Sequence, residues 1–133
     1  MSQLTGHQIF DNLFVLEVAN NHLGSVERGL KIIREYGRLV KANDIYAAIK
    51  LQFRDVDTFI HDSFFGYEKI RYIRKTASTR LTQEQLKILI EEISNQGCIP
   101  MATPFDEKSV DLCEKFDLPI IKVASSDIAS WSL

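Results

Sequence analysis

Apolar residues along this chain recur with two periods, and the switches between them mark out the elements. Leu13 to Ala19 (LFVLEVA) is a short apolar run broken by one acid, and Asn20, Asn21, His22 and Gly24 after it are turn residues, so a strand followed by a turn is predicted. Ser25 is placed to cap a helix over Val26 to Lys41. There Leu30, Ile33, Gly37 and Val40 share a face, and the small Gly37 is expected to let the helix approach a sheet closely. Ile45 to Phe53 (IYAAIKLQF) reads as a second strand, with Ile49, Leu51 and Phe53 on one face and Ala48, Lys50 and Gln52 on the other.

Thr82 with Gln85 is a capping box, and Leu86, Leu89, Ile90 and Ile93 follow at helical spacing until Gly97. Cys98 to Thr103 is the expected third strand. Asp106 then caps a helix carrying Val110, Cys113 and Phe116, and Pro119 opens a fourth strand over Ile120 to Ala124. Arg54 to Arg80 has no clear period. It holds His61, Gly66 and the basic residues Lys69, Arg71, Arg74, Lys75 and Arg80, and reads as a long loop with a short helix or hairpin.

Four strands separated by three helical stretches imply right-handed crossovers and a parallel α/β sheet. Such a sheet is either open and doubly wound or part of a closed (β/α)8 (TIM) barrel. No GxGxxG follows the first strand, which removes the main support for dinucleotide binding, and no internal repeat is present.

Composition narrows the classes. With 45% hydrophobic and 26% charged residues in 133, the chain is in the ordinary globular range and long enough for one core. A net charge of -2 gives no global attraction to nucleic acid or membrane, so anion binding has to come from a local arrangement of cations. Cys98 and Cys113 lie outside any CxxC spacing and read as small core residues, which suits a reducing compartment. With no basic-then-apolar leader and no membrane-length apolar run, a cytoplasmic location is expected.

The candidate chemistry sits near the C-terminal ends of the strands: Glu17 on the first, Lys50 and Gln52 on the second, Thr103 on the third, Lys122 on the fourth. In a barrel these ends converge on one mouth. An unpaired buried charge costs several kcal/mol, so these charges need partners or a ligand. One reading pairs Glu17 with Lys50 as a structural salt bridge and leaves Lys122 at a solvated edge. The other has two ammonium groups and a hydroxyl holding a small dianion such as a phosphate, with a carboxylate opposite to position or deprotonate a reacting group.

These residues also match a family. Phe14 to Ser25 (FVLEVANNHLGS), Ile49 to Phe53 (IKLQF), Thr103 to Val110 (TPFDEKSV) and Ile121 to Ile128 (IKVASSDI) resemble, in order and at the expected spacing, the first four strands of the N-acetylneuraminate (sialic acid) synthases. The resemblance implies that residues 1–133 form the N-terminal half of a synthase TIM barrel, apparently without the C-terminal half and the small antifreeze-like domain. It implies condensation of phosphoenolpyruvate with an N-acylated amino sugar, N-acetylmannosamine or a related one, to a nonulosonic acid plus phosphate. In that scheme Lys50, Thr103, Lys122 and Ser125 hold phosphoenolpyruvate, Gln52 and Asp127 face the sugar, and Glu17 is the catalytic carboxylate. It further implies a divalent metal, Mn2+ or Mg2+, held by histidines outside this segment, and a homodimer when full length. No nucleic-acid or membrane partner is expected.

Four positions depart from the family pattern: Ala19 stands for a glycine, Leu23 for an asparagine, Ser126 for a glycine and Asp127 for a glutamate. The segment alone is expected to be inactive and prone to associate through its open edges. Two other readings of the residues stay open. One is a class I aldolase-like barrel with Lys50 or Lys122 as a Schiff-base lysine; the other is a non-catalytic barrel fragment.

Overall fold

The computed structural model describes residues 8–133 apart from 65 and 68. In chain order the elements are β1 (Phe14–Ala19), α1 (Val26–Asn43), β2 (Ala47–Phe53), α2 (Val56–Phe59), α3 (Arg71–Ser78), α4 (Gln83–Asn95), β3 (Ile99–Pro104), α5 (Glu107–Lys115) and β4 (Ile120–Ile121). All pairings are parallel and the spatial order is β1-β2-β3-β4. A doubly wound sheet reverses its order at a switch point and carries helices on both faces. Here the order never reverses, so crossovers of one hand set every connecting helix on the same face. The result is four consecutive strands of a (β/α) barrel wall.

The two faces of this wall have different cores. On the outer face Val18, Ile49, Leu51, Phe53 and Ala102 pack with Ile33 and Val40 of α1, with Leu86, Leu89, Ile90 and Ile93 of α4, and with Cys113 of α5. Fully buried side chains of this size stabilise by roughly 1.5–3 kcal/mol each, which makes this helix–sheet layer the main source of stability. On the inner face Ala48, Met101 and Ile120 form a small cluster closed by Ile9, Leu13 and Ile99. Ile9 lies in a 3₁₀ turn (Gln8–Phe10) ahead of β1, and this turn covers the inner face at the end opposite the mouth.

Most expected elements are present, with adjusted ends. β3 begins at Ile99, leaving buried Cys98 just ahead of it. β4 is shorter than expected: the Lys122 N–H still donates to the Ala102 carbonyl at 2.9 Å, and the chain then enters a 3₁₀ turn over Ser125–Asp127. Within 54–80 the chain forms the helices α2 and α3 and no hairpin among the described residues. The Thr82–Gln85 capping box, the Ser25 and Asp106 caps and the left-handed Gly97 (φ 78°) all form. Both cysteines are core residues. Burial pushes the Cys113 thiol up to about 11 and raises that of Cys98, which suppresses the reactive thiolate.

Gly37 does permit a close approach, but to a helix and not to the sheet. A Cβ there would lie 2.4 Å from Gln96 Oε1 and 2.7 Å from Gln96 Cβ, at the C-terminal cap of α4. The same Gln96 donates to Glu92 at 2.8 Å and accepts from Lys41 at 3.3 Å, while Glu92 pairs with Arg34, so α1 and α4 are stitched together around this contact. Gly37→Ala is expected to destabilise the fold by about 1–3 kcal/mol through overpacking, although alanine is the better helix former by about 1 kcal/mol. A urea melt in which the variant is at least as stable as the parent would contradict this.

Candidate functional site

Strand alternation places Lys50 and Gln52 on the inner face, opposite to the helices, and register places Glu17 beside Lys50 and Thr103 beside Gln52. The side chains meet as that register requires. Lys50 forms an ion pair with Glu17 and donates to Thr103 Oγ1 at 3.2 Å, so three strands are joined through one ammonium group. The burial is asymmetric: the Lys50 side chain is 7% exposed and that of Glu17 43%. The carboxylate therefore opens to the mouth while the cation is held in the wall.

Local backbone aims Glu17. The β1–β2 register slips between Glu17 and Ala19, and Ala19 is left-handed (φ 47°), which lets its N–H donate to Glu17 Oε1 at 2.9 Å. Tyr36 of α1 donates to the Glu17 carbonyl at 3.1 Å and holds the strand from the other side. Leu23, in the turn after β1, is also left-handed (φ 51°). Ala19 and Leu23 are two of the positions that depart from the synthase pattern. Glycine and asparagine reach this conformation easily; other L-residues do so at roughly 1–2 kcal/mol each.

The remaining predicted residues are distributed unevenly. Lys122 follows β4 in the ladder beside β3, is exposed, and among the described residues its ammonium has no partner. Ser125 is exposed in the 3₁₀ turn. Asp127 lies in the same turn with Oδ2 buried and unpartnered, in a cleft of about 250 Å³ shared with Phe59, Phe105 and Ser130. Gln52 lines a different cleft of about 300 Å³ with Asn20 and Arg54. Glu17, Lys50 and Thr103 are thus brought together, whereas Gln52 and Asp127 do not share a cleft. Asp106, expected only as a helix cap, also accepts the Asp55 N–H at 2.8 Å while capping Ser109 at 2.8 Å, and so ties the end of β2 to the start of α5.

A family model described as the NeuB family matches residues 41–133, more than half of the chain and including β2, β3 and β4. The chain belongs to the NeuB family. Among solved structures it is similar to a Chromobacterium violaceum protein assigned as spore coat polysaccharide biosynthesis protein E, with 42% identity and a TM-score of 0.85 over 90% of this chain and 36% of that one. The N-acetylneuraminic acid synthetase of Leptospira borgpetersenii, solved in complex with citrate, shares the fold at 24% identity, TM-score 0.69, over 90% of this chain and 38% of that one. An uncharacterised Methanocaldococcus jannaschii protein is 29% identical over 90% of this chain and 32% of its own length. This NeuB-family chain therefore spans about a third of the length of the relatives it matches. No helix among the described residues is long and apolar enough to cross a membrane.

The donor set described here does not fit a divalent metal. Among the described residues no three of His, Cys, Asp and Glu gather closely enough to hold an ion. His22, expected as a turn residue, is 3% exposed, and its Nδ1 accepts the Gly24 N–H at 3.1 Å. Burial lowers its pKa from the ordinary 6.5, because the charged imidazolium loses solvation and would also lose that hydrogen bond.

Two predictions follow from these burials. Since the unfolded state takes up the His22 proton first, the stability that His22 contributes is fully present above about 6.5 and is lost as pH falls through the lowered folded-state value. Chemical denaturation between pH 7.5 and 5 is expected to show that loss, and His22→Gln to reduce it; an unchanged pH slope in the variant would refute the assignment. Glu17→Gln is expected to cost about 1–3 kcal/mol by stranding the buried Lys50 ammonium, below the 3–5 kcal/mol of a fully buried pair because Glu17 is partly solvated. Lys50→Met, which strands only a solvated carboxylate, is expected to cost less. The reverse ranking in urea melts would mean that the ammonium is not the group that needs its partner.

Proposed function

We propose that this protein contributes the phosphoenolpyruvate end of a synthase that condenses phosphoenolpyruvate with an N-acylated amino sugar to give a nonulosonic acid and phosphate. The observation that carries this is the Glu17–Lys50–Thr103 constellation. A buried ammonium on the inner face is oriented by a hydroxyl on one strand and a half-exposed carboxylate on another, and Lys122, on the far side of the hydroxyl's strand, has no side-chain partner among the described residues. Glu17 and Lys50 do pair, as a purely structural role would also require. A pair serving stability alone gains nothing from leaving its acid exposed at the mouth.

In this scheme Lys50, Thr103, Lys122 and Ser125 hold the phosphate and carboxylate of phosphoenolpyruvate as point charges and hydroxyl donors. Gln52 and Asp127 address the amino sugar. The methylene carbon of phosphoenolpyruvate forms a bond to the sugar's aldehyde carbon, water adds to the resulting cation, and phosphate departs with its bridging oxygen. Glu17 lies beside the reacting carbons, where it accepts or orients a proton; its contacts with the Ala19 N–H and Lys50 fix its direction before substrate arrives. A Schiff-base mechanism is less well supported, since a Lys50 ammonium committed to an ion pair is not a free amine nucleophile.

Calorimetric titration with phosphoenolpyruvate is expected to show saturable binding that Lys122→Ala and Lys50→Met each weaken at least about tenfold, which corresponds to about 1.4 kcal/mol. Borohydride treatment with pyruvate is expected to leave the protein's mass unchanged. Undiminished binding in both variants, or a trapped covalent adduct, would overturn the proposal.

A further inference from the structure

Arg54 follows β2 directly and continues the alternation of Lys50 and Gln52 by one more step toward the mouth. Its guanidinium lies 4.1 Å from the centroid of the Phe105 ring and 5.1 Å from that of Phe59, rings that themselves pack edge to face. Stacking of this kind fixes the plane of the fork without satisfying any of its N–H groups. Among the described residues, buried Nε has no hydrogen-bond partner and no carboxylate pairs with this side chain. A buried donor without an acceptor is costly, so such a group marks where an acceptor is to be supplied.

The surroundings fit one kind of acceptor. The cleft of about 300 Å³ that Arg54 lines is bounded by Asn20 and Asn21 after β1, by Gln52, and by Tyr72 and Lys75 of α3. Among its described lining residues none is a carboxylate. The nearby acids are already engaged: Asp57 pairs with Arg80, Asp55 with Lys108, and Asp106 with the N–H groups of Asp55 and Ser109. Among the described residues the Asn20 and Gln52 amides and the Lys75 ammonium make no side-chain hydrogen bond or ion pair. Two cations and two amides therefore face one cleft with their donors uncommitted.

We propose that Arg54, with Lys75 and the side-chain amides of Asn20 and Gln52, forms an oxyanion-binding cleft that takes the carboxylate or phosphate of a small-molecule ligand. This goes beyond the condensation chemistry: apart from Gln52, none of its residues has a role there, and the cleft lies outward of the Lys50–Thr103 pair. It also gives a use to part of the basic 69–80 stretch, because α3 carries Lys75 to the mouth.

The test is a pair of NMR titrations, with inorganic phosphate and with acetate, read at the Arg54 Nε–H and at the Asn20 and Gln52 side-chain amides. At least one anion is expected to shift all three, in the parent and in Lys122→Ala alike. Arg54→Gln is expected to weaken the remaining amide shifts at least about tenfold, and Lys75→Gln about threefold; the second variant decides the matter if the first is unfolded. Phosphate outranking acetate identifies a phosphate ligand, and the reverse order identifies a carboxylate. The proposal is overturned if neither anion shifts these groups, or if the shifts vanish in Lys122→Ala and persist in both cleft variants. Phosphoenolpyruvate binding is read separately through Lys122, so failure of the synthase proposal would leave the result at Arg54 intact.

Discussion

The inner face of this sheet is organised around one buried ammonium. Lys50 sits at the middle of a strand whose other face is sealed by helices, and a charge in that position is tolerable only with its partners in place. Glu17 and Thr103 supply them from the two neighbouring strands, so the polar contact and the strand order specify each other. If β4 took the place of either neighbour, it would bring Ile120 and Lys122 to the ammonium and no carboxylate. The left-handed Ala19 belongs to the same constraint, since it is what turns a backbone N–H onto the Glu17 carboxylate.

Around this pair the wall divides its labour by face. Stability comes from the outer layer, where fully buried Ile33, Leu89 and Ile93 meet Ile49, Leu51 and Phe53. The inner layer is thin, with Ala48, Met101 and Ile120 below and polar side chains above. A wall that is stabilised from outside can carry charged and hydroxyl groups inside at little cost to its core, which is why barrel chemistry collects at strand C-termini.

Much of this was legible in the sequence, and for identifiable reasons. The alternation in Ile45 to Phe53 placed Lys50 and Gln52 opposite Ile49, Leu51 and Phe53, and parallel register then decided which residues are neighbours across strands. The caps at Ser25, Thr82 and Asp106 were readable because each rests on a local hydrogen bond. What could not be read depended on tertiary partners. Gly37 looked like a sheet contact, but a small residue only states that something comes close; here it is Gln96. The 54–80 stretch hid its helices because α2 has only four residues and α3 has Ile70, which offers no capping side chain, at its N-cap. Arg54 was passed over as a loop residue, although its place two after Gln52 was a signal that the inner face extends past the strand.

Among the described residues, unmet buried polarity gathers at one end of the molecule. Arg54 Nε and Asp127 Oδ2 are buried there without partners among the described residues, and the left-handed Ala19 and Leu23 lie nearby. At the opposite end of the wall, Ile9 and Leu13 close an apolar floor. A fold optimised for stability alone would pair its buried donors, as it does at every helix cap that uses a side chain. Left-handed backbone also occurs at Asn12, Asp44 and Asp117, ahead of β1, β2 and β4 at the other end of the wall, so strain does not single out the mouth; the buried, unpartnered Arg54 Nε does, and it is better explained as readiness for an anionic ligand than as imperfection of the fold.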